Sequence, residues 1–383
     1  MVDAGITNLK VALVHDWLTG MRGGEKCLEV FCELFPDARL FTLLHEQGST
    51  SPRIESMPIT TSFLQKLPFR LRRRYPFCLP LFPLAIEQFD LRGYDLVLSS
   101  SHCVAKGVQP PDNGCHVSYV HAPMRYIWDS FDLYFKRPQT PGSLRLAARI
   151  ARPFLRRWDR RSSRRVDTFL CNSRHVRQQI RDLYGREAQV IQPPVDLTRF
   201  RPGSVKEDYY LMVGAMAPNK RVDLAIAAFN RLKLPLRIAG CGWDEAYCRG
   251  IAGPGIEFLG QVADSVLVGL YQRAKAFVFP GLDDFGITPL EAQACGTPVI
   301  AFAGGGALET VTERTGLFFR EPAAESLMEA VLKMEAAWQG FSPEDLCRNA
   351  ARFGRERFKE RIREAVAHGC RERSASARPP GRR

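Results

Sequence analysis

This chain of 383 residues is first narrowed by what it does not carry. Its eleven cysteines, running from Cys27 and Cys32 to Cys347 and Cys370, include no C-x-x-C pair and no regular spacing. That argues against a zinc site and a disulfide scaffold, and fits reduced thiols in a cytosolic compartment. No uninterrupted apolar run approaches the roughly 20 residues of a spanning helix. Met1 to Lys10 is short, polar and acidic at Asp3, unlike a secretory leader. The expected location is the cytoplasm, free or peripheral on the inner face of the cell membrane. The glycines of HDWLTGMRGGEK, from His15 to Lys26, form neither G-x-G-x-x-G nor a Walker loop ending in G-K-[ST], so nicotinamide chemistry and ATP hydrolysis find no support. Zinc-finger spacing and RNP-like aromatics are missing beside the arginines, so nucleic acid is not an expected partner.

What the chain has in excess is positive charge, a formal +13, which attracts phosphate-bearing substrates, anionic lipid and other polyanions. Its placement is uneven. Arg70, Arg72, Arg73 and Arg74 precede the proline-broken apolar run from Phe77 to Ile86. Arg145, Arg149, Arg152, Arg156 and Arg160 recur at steps of three and four, with Leu146, Ile150, Phe154 and Trp158 on another side of the same helix. Pro153 is expected to interrupt that helix. Two readings stay open for these stretches: a solvated basic face over an ordinary core, and contact with an anionic membrane surface.

A length of 383 residues and an apolar content of 45% predict two well-packed domains. Short apolar runs alternate with amphipathic stretches in two similar halves, each of which reads as a doubly wound α/β unit. In the first half the predicted strands are Lys10 to Val14, Asp95 to Leu98, Val117 to Val120 and Thr168 to Cys171, with helices over Glu25 to Leu34, Leu144 to Arg152 and His175 to Tyr184. In the second they are Tyr210 to Val213, Leu236 to Ala239, Ile256 to Leu259, Ala276 to Phe279 and Pro298 to Phe302. Gln192 to Gly203, with three prolines, reads as the connector. The expected division is 1–200, 201–350, a helix over 351–370 and a disordered arginine- and proline-rich tail over 371–383. Strands of the second half run into Gly214, Gly240, Gly260, Pro280 and Gly304, so tight turns gather at the carboxyl ends, where open parallel sheets bind ligands.

The segment from Phe279 to Glu309 concentrates the chemistry. A buried strand leads into a glycine-containing turn and then a helix with Pro289 in its first turn. The backbone N–H groups of Phe285, Gly286, Ile287 and Thr288 are thereby placed to face a phosphate. Asp283 on the loop and Glu291 in the helix are eight residues apart, spaced to reach hydroxyls of one ligand. Together with Ala292, Cys295, Gly296, Pro298, Gly304, Gly305 and Glu309, this segment resembles the E-x7-E region of the retaining glycosyltransferases of family 4. Asp283 stands where the first Glu is usual.

The resemblance implies a GT-B fold: two Rossmann-like domains facing a central cleft, acceptor mostly on the first and donor on the second, with the helix over 351–370 crossing back. It implies that Asp283 contacts the donor sugar and Glu291 the ribose. Lys220, in VGAMAPNKRVDLAI, would neutralise the donor diphosphate. An arginine usual right after Gly214 is replaced by Ala215; either Arg221 compensates or the change is tolerated. In YVHAPMRYIWD, His121 matches the histidine that approaches the donor sugar, with Arg125, Tyr126, Trp128 and Asp129 in the same block. Gly23 and Gly24 match a flexible loop near acceptor and diphosphate, and Asp16 is a polar contact beside it. Gly242 matches a turn near the nucleotide, and Phe258 to Val262 the stretch near the base. The family is metal-independent, and Asp283 and Asp284 are adjacent rather than a D-x-D pair, so neither metal nor cofactor is expected. No nucleophile stands out, which agrees with the front-face mechanism usual for such enzymes, His121 positioning the sugar. HDWLTGMRGGEK, YVHAPMRYIWD, DFGITPLEAQACG and GGGALETV are most similar to mannosyltransferases of bacterial polysaccharide and O-antigen assembly. That implies GDP-mannose as donor and a lipid-linked saccharide as acceptor. The competing expectations are an epimerase or hydrolase on the same fold, and a sugar-nucleotide-binding protein without transfer, for which Ala215 and Asp283 are the motivating departures.

Overall fold

The computed structural model describes residues 9–68, 72, 75–128, 130–135 and 142–376. Arg70, Arg73, Arg74, Asp129 and the tail 377–383 lie outside the described residues. The chain divides into two compact units, one made of Met1–Gln192 with Glu356–Arg383 and the other of Pro193–Arg355.

The first unit is a seven-stranded sheet. Its strands are β1 (Val11–His15), β2 (Arg39–Thr42), β3 (Ile59–Thr61), β4 (Leu96–Ser101), β5 (Cys115–Val120), β6 (Thr168–Cys171) and β7 (Ala188–Val190), in the order β3-β2-β1-β4-β5-β6-β7. The second unit repeats the scheme with β8 (Tyr210–Val213), β9 (Leu236–Ala239), β10 (Ile256–Gly260), β11 (Ala276–Phe279), β12 (Val299–Phe302) and β13 (Gly316–Phe319), in the order β10-β9-β8-β11-β12-β13. Every pairing is parallel. Helices covering both faces explain why central strands such as VALVH and AFVF are apolar runs buried at every position rather than alternating patterns. The doubly wound α/β expectation is therefore borne out for both halves. In each sheet the order reverses next to the first strand, between β1 and β4 and between β8 and β11, which marks the place where such sheets bind ligands.

The helices used below are α1 (Gly23–Leu34), α2 (Phe131–Phe135), α3 (Gly142–Ser162), α4 (Val222–Leu232), α5 (Ile287–Ala294) and α6 (Arg355–Ser376). α6 adds Phe358, Ile362, Ala365 and Val366 to the core of the first unit. Phe31 of α1 lies between Tyr119, edge to face at 5.7 Å, and Phe358, stacked at 5.9 Å. Each such buried aromatic contributes about 1.5–3 kcal/mol by removal from water. α6 continues through Arg371–Arg373 to Ser376, where composition favoured disorder, and Arg373 Nη2 there donates to the Asp112 carbonyl at 3.0 Å.

One expectation needs correction. Pro153 does not end its helix: α3 runs through it to Ser162. Proline removes one backbone donor and crowds the preceding turn, but α3 is fixed from outside. Lys106, buried beneath it, donates to Asp159 Oδ1 at 2.7 Å, and Trp128 Nε1 and Tyr184 Oη donate to Asp159 Oδ2 at 2.8 Å each. Trp158 lies so close to Gly107 that a Cβ there would stand 2.5 Å from the indole. On the flank, Arg152 and Arg156 donate through Nε to the Ile127 carbonyl at 2.9 and 2.8 Å.

Candidate active site

In the second unit, parallel pairing sets Tyr210 of β8 beside Ala276 of β11, so the loops that follow these two strands emerge as neighbours. They touch: a Cβ on Gly281 would stand 2.2 Å from the Asn219 carbonyl oxygen. Lys220 closes the short 3-10 turn after β8, Asp283 lies in the loop after β11, and the two form an ion pair. Asn219 Nδ2 donates to the other carboxylate oxygen at 3.2 Å. The Asp283 carbonyl accepts from Gly306 N at 2.9 Å, which ties in a third loop, the one after β12. Gly306 permits that approach, because a Cβ there would stand 2.1 Å from Phe285 Cα.

α5 begins in this cradle. Gly286 at its N-cap has φ +90, a left-handed conformation that side chains resist, and no side chain caps the helix. The first N–H groups of an α-helix have no intrahelical acceptor and carry the positive end of its dipole. Phe285 is buried under the turn, Ile287 and Thr288 open the helix, and Pro289 stands in its first turn. Glu291, farther in, is only 1% exposed, and Tyr271 Oη donates to its Oε2 at 3.0 Å. Burial, then the neighbouring Glu291, push the Tyr271 hydroxyl well up, so it stays the donor. A ligand hydroxyl on Glu291 would share the carboxylate with this tyrosine. Arg221 is not drawn to Asp283: its Nε lies 3.2 Å from Asp223 Oδ1 in the first turn of α4, and its backbone has φ +52. Gly242, after β9, presses on the loop after β8, a Cβ there standing 2.6 Å from the Met216 carbonyl oxygen.

The matching position of the first unit is built from side chains. Register places His15 of β1 beside Ser100 of β4 and Ser101 beside Val120 of β5, with His121 next in the chain. Ser100 Oγ lies 3.0 Å from His15 Nδ1 and 2.8 Å from His121 Nε2, joining the two imidazoles through one hydroxyl that has a single proton to donate. Gly24, in the first turn of α1, lies over both rings, its Cβ direction 3.5 Å from His15 Cε1 and 3.6 Å from His121 Nε2, and Gly23 opens that helix. Burial, then His102 and His15, hold the His121 imidazole well below its ordinary range, so it is neutral at pH 7. Burial lowers His102 as well.

Asp16 does not serve as a ligand contact. It is fully buried, and its two oxygens accept the backbone N–H groups of His102, Cys103, Val104 and Ala105 at 2.7, 2.9, 2.6 and 2.8 Å, with His102 Nδ1 at 3.1 Å. The carboxylate anchors the loop after β4, and its acceptor capacity is filled. Sequence reasoning missed His15, Ser100, His102 and Asn219. The available signal was that His15 ends β1 and Ser100 stands one residue before the end of β4, the two strands flanking the order reversal. Among the described residues no group of three or more His, Cys, Asp or Glu is arranged to hold a metal ion, and no helix is long and apolar enough to cross a membrane.

Comparison with known proteins bears on the whole chain. Residues 41–199 match the model of the family "Glycosyltransferase Family 4", and residues 196–357 that of "Glycosyl transferases group 1". Among curated relatives, a D-inositol 3-phosphate glycosyltransferase of Geodermatophilus obscurus is 29% identical over 55% of this chain and 55% of its own. A GDP-mannose-dependent monoacylated alpha-(1-6)-phosphatidylinositol monomannoside mannosyltransferase of Corynebacterium glutamicum is 34% identical over 31% of this chain and 35% of its own. The O-antigen chain mannosyltransferase B of Escherichia coli is 34% identical over 24% of this chain and 28% of its own. The matched part therefore spans about half the length of the first relative and less of the others. In fold, Anabaena Alr3699/HepE, solved with UDP and glucose, superposes with a TM-score of 0.67 at 16% identity over 94% of this chain and 100% of its own. With its two parallel sheets, its glycine-built cradle and these matches, the chain belongs to the family 4 glycosyltransferases and has their GT-B fold.

Proposed function

We propose that this protein is a retaining glycosyltransferase that moves a sugar, preferably mannose from GDP-mannose, to a lipid-linked saccharide acceptor in polysaccharide or O-antigen biosynthesis, working at the inner face of the cell membrane. The observation that carries the reading is the meeting of Lys220, Asn219 and Asp283 at the open start of α5, walled by the loops after β8, β11 and β12. A helix start and a lysine suit a diphosphate, and a carboxylate held by an amide suits sugar hydroxyls. In the second unit we assign the diphosphate to Lys220 and the N–H groups of Ile287 and Thr288, the sugar to Asp283 and the ribose to Glu291. Arg221 and Gly242 flank the nucleotide. In the first unit we assign sugar positioning to the neutral His121, beneath the Gly23–Gly24 turn.

The reaction so read breaks the bond from the anomeric carbon to the diphosphate oxygen and forms one to the acceptor hydroxyl on the same face. The electron pair leaves on the diphosphate, where Lys220 and the helix start stabilise it, and the acceptor proton leaves with it. GDP-mannose is preferred because the Corynebacterium and Escherichia relatives are named mannosyltransferases, the former GDP-mannose-dependent. The inositol-phosphate relative is the reason to test other acceptors.

A second reading, nucleotide-sugar binding without transfer, is favoured by one observation: Ala215 takes the usual arginine position in the loop that carries Lys220, and Lys220 is already paired with Asp283, which leaves a weaker diphosphate clamp. Labelled GDP-mannose incubated with the protein and a bacterial lipid extract separates the two. Transfer predicts label in the lipid phase with the α configuration kept. Donor binding with no labelled lipid under any acceptor mixture contradicts it.

A further inference from the structure

α3 carries a surface that the sugar chemistry does not use. Its outward face changes character along its length. In the first turns Leu146, Ile150 and Phe154 stand one above the other at steps of four, 60%, 71% and 60% exposed. Farther along, and just past its end, the exposed positions are Arg157, Arg160, Arg161 and Arg164. Beside them, between α3 and α2, runs a groove of about 1310 Å³ whose described lining includes eight arginines and one carboxylate, Asp132. Arg149, Arg157, Arg161 and Arg164 make no ion pair or hydrogen bond among the described residues.

We propose that this face of α3 is a docking surface for an anionic lipid bilayer, with Leu146, Ile150 and Phe154 entering the headgroup boundary and the arginine groove holding lipid phosphates. It deepens the reading of a lipid-borne acceptor by naming the surface that meets its membrane. Charge complementarity selects the occupant. Arg149, Arg157, Arg161 and Arg164 add four guanidinium groups to a groove lined by one carboxylate, a concentration of positive charge that an array of phosphates complements, and guanidinium matches phosphate geometry. A solvated basic face has no use for three large apolar side chains in successive turns, whereas a helix lying in a bilayer interface needs both, with the apolar part reaching about 5–10 Å into the boundary. The surface is presented rigidly: the buried Lys106–Asp159 pair and the Trp158 contact with Gly107 fix the opposite face of the helix. Arg152 and Arg156 are steadied over the Phe131 and Trp128 rings, at 4.1 and 4.6 Å.

The test is co-sedimentation of the whole protein with vesicles of phosphatidylcholine alone and of equal parts phosphatidylcholine and phosphatidylglycerol, without sugar nucleotide. Binding to the anionic vesicles only, and its loss by on the order of 600-fold or more in the combined variant Arg149→Glu, Arg157→Glu, Arg161→Glu and Arg164→Glu, support the proposal, each of the four basic side chains near such a surface being worth about a factor of five. A second variant, Leu146→Ser with Ile150→Ser and Phe154→Ser, is expected to keep low-salt binding and lose the salt-resistant part. Both variants alter exposed positions, and thermal unfolding with and without GDP serves as the control for folding and for the donor site. Undiminished vesicle binding in the charge variant overturns the proposal. So does wild-type protein that ignores anionic vesicles yet binds inorganic pyrophosphate in the groove, binds RNA, or dimerises through the three apolar side chains. If vesicle binding behaves as expected but no nucleotide binds, the transferase reading falls and the docking surface stands.

Discussion

The two units share one strand order and finish it with different chemistry. At the order reversal of the first unit the sheet ends in side chains: His15, Ser100 and His121 joined through one hydroxyl, with Asp16 holding four backbone N–H groups beneath. At that of the second, the proposed site is largely backbone, three loops brought into contact through Gly281 and Gly306 around the Lys220–Asp283 pair. All seven histidines of the chain belong to the first unit, and none lies between 193 and 355. The lesson is that a common scaffold separates two tasks. Imidazoles and a buried carboxylate make a pre-set wall joined by side-chain hydrogen bonds, while glycines bring the loops together so that the chain itself lines the site proposed for a phosphate.

The strongest way to break this contrast is Asp16→Ala. It orphans four N–H donors in a buried loop, and we expect a loss on the order of 4 kcal/mol in the first unit, each unsatisfied buried donor costing about 1–3 kcal/mol. Hydrogen exchange at residues 102–105 during urea unfolding reads it. Protection that survives the substitution would mean that Asp16 is not the anchor. Next is Lys220→Ala, expected to weaken nucleoside diphosphate binding by about 1.5–3 kcal/mol, as for a hydrogen bond to a charged group. Calorimetry measures this, and an unchanged dissociation constant would remove Lys220 from the site.

The third effect is a pH dependence confined to one unit. Burial pushes the His116 imidazole down to about 4, and those of His102 and His121 down as well, against about 6.5 unfolded. Below pH 6.5 the unfolded chain therefore binds more protons, so stability is full above that pH and is lost as pH falls towards 4. His116 alone accounts for about 2 kcal/mol at pH 5. Hydrogen exchange at pH 7 and 5 should show weakened protection in the first unit and no histidine-linked change in 193–355. Equal weakening of both units would contradict the assignment.

How much of this was legible in the sequence follows the same divide. Long apolar runs such as Ala276–Phe279 and Val117–Val120 declared buried parallel strands, and the helix start after Gly286 was readable because glycine and proline punctuate it. The edge strands β3 and β7, three residues each and only partly buried at most positions, carry too few side chains to register a period. Pro153 misled because local propensity knows nothing of a Lys106–Asp159 pair made across 53 residues of chain. Asp16 misled for the same reason: a carboxylate beside a glycine loop looks like a ligand contact until the loop after β4, 86 residues away, is seen to claim it. The pairing of Lys220 with Asp283 depends on β8 lying beside β11, a long-range fact of topology that no spacing encodes.

The central claim, a nucleotide-sugar site in the second unit, is tested most directly by thermal unfolding with GDP, UDP, ADP and their sugar conjugates, followed by hydrogen exchange. A ligand at about 100 times its dissociation constant stabilises by roughly 2.7 kcal/mol. The account predicts a shift that is largest for GDP and GDP-mannose, with added protection in the loops that hold Lys220 and Asp283. No shift with any nucleotide, or protection that falls only in the first unit, would contradict it.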